Sequence, residues 1–96
     1  MSDVMAEAEA ALKAKLADAD IGGTVKFDIE GEGAIMVDDG GVRQGDDAAD
    51  VTLKADADTF REILDGSLNP TAAFMGGKLT VDGDMGLAMK LASELG

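Results

Sequence analysis

Carboxylates are the side chains of this sequence that chemistry could most readily use. Aspartate and glutamate number 20 against 8 lysines and arginines, a formal net charge of −12. They gather in short clusters: Asp38-Asp39, Asp46-Asp47-Asp50, Asp56-Asp58 and Asp82-Asp84. Several carboxylates in one loop are what a hard cation such as calcium requires. None of these clusters has the closing glutamate of the twelve-residue calcium loop. Each stands where the chain must turn or a helix must start, so turn formation and helix capping are expected instead. Asp28 and Glu30 share one strand face with no opposing acid, which predicts a solvated face and not a general acid–base pair. Ser2, Ser67 and Ser93 lie in no nucleophile elbow. There is no histidine and no cysteine, which removes disulfides and the usual zinc ligand sets. Gly22-Gly23 and Gly76-Gly77 are turn glycines without a phosphate-binding fingerprint. The expectation is no enzyme, no catalytic residue, no metal and no cofactor.

Charge narrows the partners further. Phosphate recognition needs clustered lysine and arginine, and here no two basic residues are adjacent, so no nucleic-acid partner is expected. The 3 aromatic residues are all phenylalanine, too few for a base-stacking platform. An acidic surface predicts at most transient contact with membranes and leaves room for a basic protein partner. Met1-Ser2-Asp3 is acidic where a signal peptide is basic, and no long apolar run follows, so a soluble, cytoplasmic chain is expected. At 96 residues one domain spanning residues 1–96 is predicted.

The elements that must carry any site follow from periodicity. Residues 3–19 read as a helix, with Val4, Ala8, Ala11, Leu12 and Leu16 on one face and a supporting Glu9–Lys13 pair. Alanine dominates that face, which allows close approach to whatever it covers. Val25, Phe27 and Ile29 alternate with Lys26, Asp28 and Glu30 as a strand with one wet side. Gly31-Glu32-Gly33 turns it into a return strand whose three successive apolar residues, Ile35, Met36 and Val37, imply cover on both faces. A weak edge strand at 42–44 and a fourth strand through Val51, Leu53 and Ala55 follow. Asp56 or Asp58 caps the next helix and Gly66 stops it; Asn69-Pro70 opens a short helix that Gly76-Gly77 ends. Residues 78–82 alternate as a fifth strand, with Leu79 and Val81 on one face. Asp84 then caps a final helix.

That final helix has too much apolar circumference for an ordinary surface helix. Met85, Leu87, Ala88, Met89, Leu91, Ala92 and Leu95 span an arc of roughly 200°, against a stripe of about 100°. It is either buried between sheet and helix, completed by a second copy in a weak dimer, or lining a cavity for an apolar ligand. A pocket of ~300 Å3 left empty would cost on the order of 7 kcal/mol, which rivals the whole stability of a small domain. An empty form is therefore expected to be collapsed and mobile or filled by lipid. The methionines suit such repacking.

Element order, together with Phe60…Leu64-Asp65-Gly66-Ser67-Leu68-Asn69-Pro70, Ala73-Phe74-Met75-Gly76-Gly77-Lys78-Leu79 and Val81-Asp82-Gly83-Asp84, resembles the sterol carrier protein 2 family, specifically its short prokaryotic members. The resemblance spans essentially the whole chain, with its most specific motifs between Phe60 and Leu95. It implies an α+β fold: a five-stranded mixed sheet in order 3-2-1-4-5 with helices covering one face. It implies non-catalytic carriage of a sterol, fatty acid, fatty acyl-CoA or similar lipid in a tunnel between sheet and C-terminal helices. Carried onto this sequence, the lining is Phe74, Met75, Leu79, Val81, Met85, Leu87, Met89 and Leu91, with Phe60, Ile63, Leu64 and Leu68 closing the tunnel. The alternative is an accessory module that docks a basic partner enzyme, for example in isoprenoid-quinone or lipid metabolism, with its pocket collapsed.

Overall fold

The computed structural model describes residues 4–16, 21–38 and 41–95. The elements are α1 (Val4–Lys15), β1 (Val25–Glu30), β2 (Gly33–Asp38), β3 (Gly41–Gln44), β4 (Val51–Asp56), α2 (Ala57–Asp65), α3 (Pro70–Met75), β5 (Thr80–Gly83) and α4 (Met85–Leu95). The strands form one sheet in the order β3-β2-β1-β4-β5. Only β1 and β4 run parallel; the other neighbours are antiparallel. This is the α+β architecture and strand order implied by the family resemblance. Asp3, residues 17–19, the Asp39-Gly40 part of the second turn, and the side chains of Val4 and Leu95 lie outside the described residues.

Register puts the apolar rows in line. Val25, Phe27 and Ile29 stand beside Val51, Leu53 and Ala55 on one side, and Val25 and Phe27 beside Val37 and Ile35 on the other. These residues form the core with Leu12, Leu16, Phe60, Ile63, Leu87 and Leu91 from the helices. Met36 points the opposite way and is still fully buried. Its cover is the segment between β3 and β4, which bonds to β2 through the Gly45 amide and the Ala34 carbonyl. The same segment pairs Asp46 with Lys26 at 2.8 Å. A parallel β1–β4 pair needs a crossover, and this one passes over the sheet's polar face.

Short polar side chains start the helices. Asp56 accepts the Thr59 amide at 2.7 Å. Asn69 accepts those of Thr71 and Ala72, and Asp84 that of Leu87. Gly66, at φ 87°, closes α2 in the left-handed region. Gly83 combines φ 121° with an approach so close that an added methyl would strike the Asp50 carbonyl. The fifth strand starts at Thr80, two residues later than periodicity predicts. The amides of Lys78 and Leu79 both bond back to the Ala73 carbonyl, so these residues form the turn that follows α3.

Candidate functional site

The helical layer leaves two carbon-lined spaces over the sheet, and Phe60 borders both. The larger is a cavity of about 320 Å3 between α1 and α2, open to solvent. Its lining is Ala8 and Ala11 of α1, Ile29 of β1, and Ala57, Phe60 and Leu64 of α2. Its polar rim is Glu7, Arg61 and Asp65. Arg61 Nη2 donates to Glu7 Oε2 at 3.1 Å across the two helices. The Ser67 hydroxyl and amide hold the Asp65 carboxyl below its ordinary pKa, and Lys15 adds to that effect.

The smaller space is a slot of about 30 Å3 under α3 and α4, the share of roughly one water molecule. Phe27, Leu53, Phe60, Ile63, Pro70, Phe74, Leu79, Val81, Met85, Ala88 and Met89 surround it. Phe60 meets Phe27 edge to face, with ring centroids 5.6 Å apart. Such a pair adds to simple burial and fixes the ring at the boundary.

Seven of the residues expected around a tunnel therefore border the slot: Phe60, Ile63, Phe74, Leu79, Val81, Met85 and Met89. Leu64 lies instead on the α1–α2 cavity. Leu87 and Leu91 border neither space; they are buried in the core beneath α4. Leu87 is held so close to Gly23 that an added methyl there would meet it at 2.8 Å. Leu68 is half-buried against the core. Met75 is 80% exposed and borders neither space, because α3 is anchored through Pro70 and Ala73 and turns Met75 outward. The wide face of α4 is thus split. Leu87, Ala88 and Leu91 pack inward, while Met85 and Met89 stay about half exposed at the slot.

The α1–α2 cavity is the part that periodicity did not disclose. Three of its wall residues are alanines. Alanine on α1 predicts close approach, yet Ala8 and Ala11 here face Ala57 and Leu64 of a second helix. The two helices do not close onto these small side chains, and volume is left between them. The alanine-rich face was the available signal.

Sheet order, one-sided helical cover and apolar space over the strands define a small α+β domain of the lipid-carrier type. The chain belongs to the SCP-2 sterol transfer family, whose model matches residues 3–95. It is 43% identical over 77 residues to zebrafish (Danio rerio) hydroxysteroid dehydrogenase-like protein 2, a match covering 72% of this chain and 19% of that protein. The chain thus spans between 13% and 20% of the length of these curated relatives. Among solved structures, sterol carrier protein 2 like 2 from Aedes aegypti superposes with a TM-score of 0.80 at 26% identity, covering 94% of each chain. Sterol carrier protein 2 from the same mosquito, solved in complex with the C16 fatty acid palmitate, gives 0.78 at 26% identity, covering 99% of this chain and 96% of that one. The fold and the family support lipid binding.

Proposed function

We propose that this domain binds an apolar lipid, such as a sterol, a fatty acid or a fatty acyl thioester, and carries it without transforming it. The acyl portion lies over the sheet, in the α1–α2 cavity, with Phe60 at its inner end. The observation that carries this reading is an apolar cavity of about 320 Å3 in a chain of 96 residues. Ligand sites begin at about that size. Dry and enclosed, such a void would cost on the order of 7–8 kcal/mol, close to the total stability of a small domain. Open to solvent, its carbon walls meet water, and a chain that displaces this water gains about 25 cal/mol per Å2 covered. The palmitate complex of the similar mosquito protein supports the same ligand class. The slot under α4 is where a longer chain is accommodated: Met85 and Met89 repack around the ligand.

Native mass spectrometry of freshly purified protein, followed by NMR titration with a long-chain fatty acid, tests this. Bound lipid is expected, with the first methyl shifts at Ala8, Ala11 and Leu64 and later ones at Met85 and Met89. A ligand-free mass, together with unmoved methyls at saturating lipid, would sink the proposal.

A further inference from the structure

Nearly all of the α1–α2 cavity wall is carbon, and its polar atoms are confined to the mouth. There Arg61 is the one cation among the lining residues, and its recorded partner is a carboxylate, Glu7, at 3.1 Å. Both side chains are about half exposed, so neither is locked in place by packing. An exposed pair of this kind is held weakly. A guanidinium carries five donors in a planar fork that matches a carboxylate, and Glu7 takes one of them. A lipid whose chain fills the cavity brings its head to this mouth. Glu7 already rehearses, from within the chain, the contact that a ligand carboxylate would make.

We propose that Arg61 is the headgroup anchor of this cavity and Glu7 its resident competitor, so that the site takes a long-chain fatty-acid anion and discriminates against its coenzyme A thioester. The proposal rests on the lipid-binding reading above and adds the head to it. On entry, the ligand carboxylate displaces Glu7 from Arg61, and Glu7 swings into solvent. Among the lining residues Arg61 stands against two carboxylates, Glu7 and Asp65, so the mouth has a donor for one ligand carboxylate and none for further anionic groups. Asp65, also on the rim, accepts the Ser67 amide at 2.8 Å. A coenzyme A head brings several phosphate charges to a chain whose formal net charge is already −12. Repulsion of that kind weakens as salt rises, because screening shortens its range.

Calorimetric titration with myristate, myristyl alcohol and myristoyl-CoA, each below its micelle concentration, tests this on the wild type, Arg61→Gln and Glu7→Gln. The wild type is expected to bind myristate about tenfold tighter than the thioester at low salt, with the gap narrowing at high salt. Arg61→Gln should weaken myristate about tenfold and the alcohol far less. Glu7→Gln should tighten myristate about threefold and again spare the alcohol. If the two variants leave myristate unchanged, or move acid and alcohol equally, the anchor is wrong while the cavity reading stands. A wild type that prefers the thioester likewise overturns the proposal. Failure of the wild type to bind either the acid or the alcohol overturns both this proposal and the reading beneath it.

Discussion

Over one sheet, the helical layer behaves in opposite ways at its two ends. Between α1 and α2 the helical walls carry Ala8, Ala11 and Ala57 beside Phe60 and Leu64, and about 320 Å3 stays open. Under α3 and α4 they are Phe74, Leu79, Met85 and Met89, and about 30 Å3 remains. The strands beneath are equally apolar, so side-chain volume on the helices decides the difference. Small residues leave room here, because α1 and α2 do not close onto them. Long flexible residues fill their room when nothing else does, and can give it back. One end is a formed cavity and the other a closed reserve, with Phe60 between them.

Removing the partition breaks the comparison most directly. Phe60→Ala should join the two spaces and destabilise the domain by about 3–5 kcal/mol, the usual cost of emptying a buried phenylalanine site. Chemical denaturation measures this, and a loss below about 1 kcal/mol would mean that the ring does not separate two packed regions. Filling the open end comes next. Ala11→Leu should weaken lipid binding by about tenfold or more in calorimetric titration, while the melting temperature holds or rises. The matched change at the closed end, Met89→Leu, conserves volume and should alter stability by less than about 1.5 kcal/mol. Equal effects of these two variants on binding would erase the distinction between cavity and reserve.

The helix caps sharpen the same contrast with smaller effects. Asn69→Ala removes the acceptor for two amides of α3 and should cost about 1 kcal/mol in thermal unfolding, loosening the slot without touching the cavity. Asp56 caps α2, which lines the cavity, and the Thr59 amide holds its carboxyl below the ordinary pKa. A depressed folded-state pKa contributes stability above the unfolded value, about 3.9, and that contribution disappears as pH falls through the folded value. The stability gap between wild type and Asp56→Asn should therefore be constant near neutrality and narrow only in acid. A gap that narrows instead on the alkaline side would assign the effect to another group.

Strands and caps were legible in the sequence because their signals are local. Alternation at Val25, Phe27 and Ile29 requires one buried face in any fold. Asn69-Pro70 and Asp84 start helices by chemistry confined to one turn. The run Ile35-Met36-Val37 correctly announced cover on both faces, although only the crossover near Gly45 supplies it. The site was legible in part. The motif from Phe60 to Met89 located the residues around the slot, but Met75 faces outward and Leu87 and Leu91 belong to the core. Ala8, Ala11, Ile29, Ala57 and Arg61 escaped detection because a cavity is the absence of side chain where two distant elements meet, and it has no period.

Composition and pattern alone thus determined the elements, their inward faces and a chemistry poor in nucleophiles. Those properties are sums over neighbours in the chain. Tertiary structure alone decided where empty volume lies and which charges guard it. Both depend on the separation of α1 and α2, elements more than 40 residues apart, whose backbones can approach only so far.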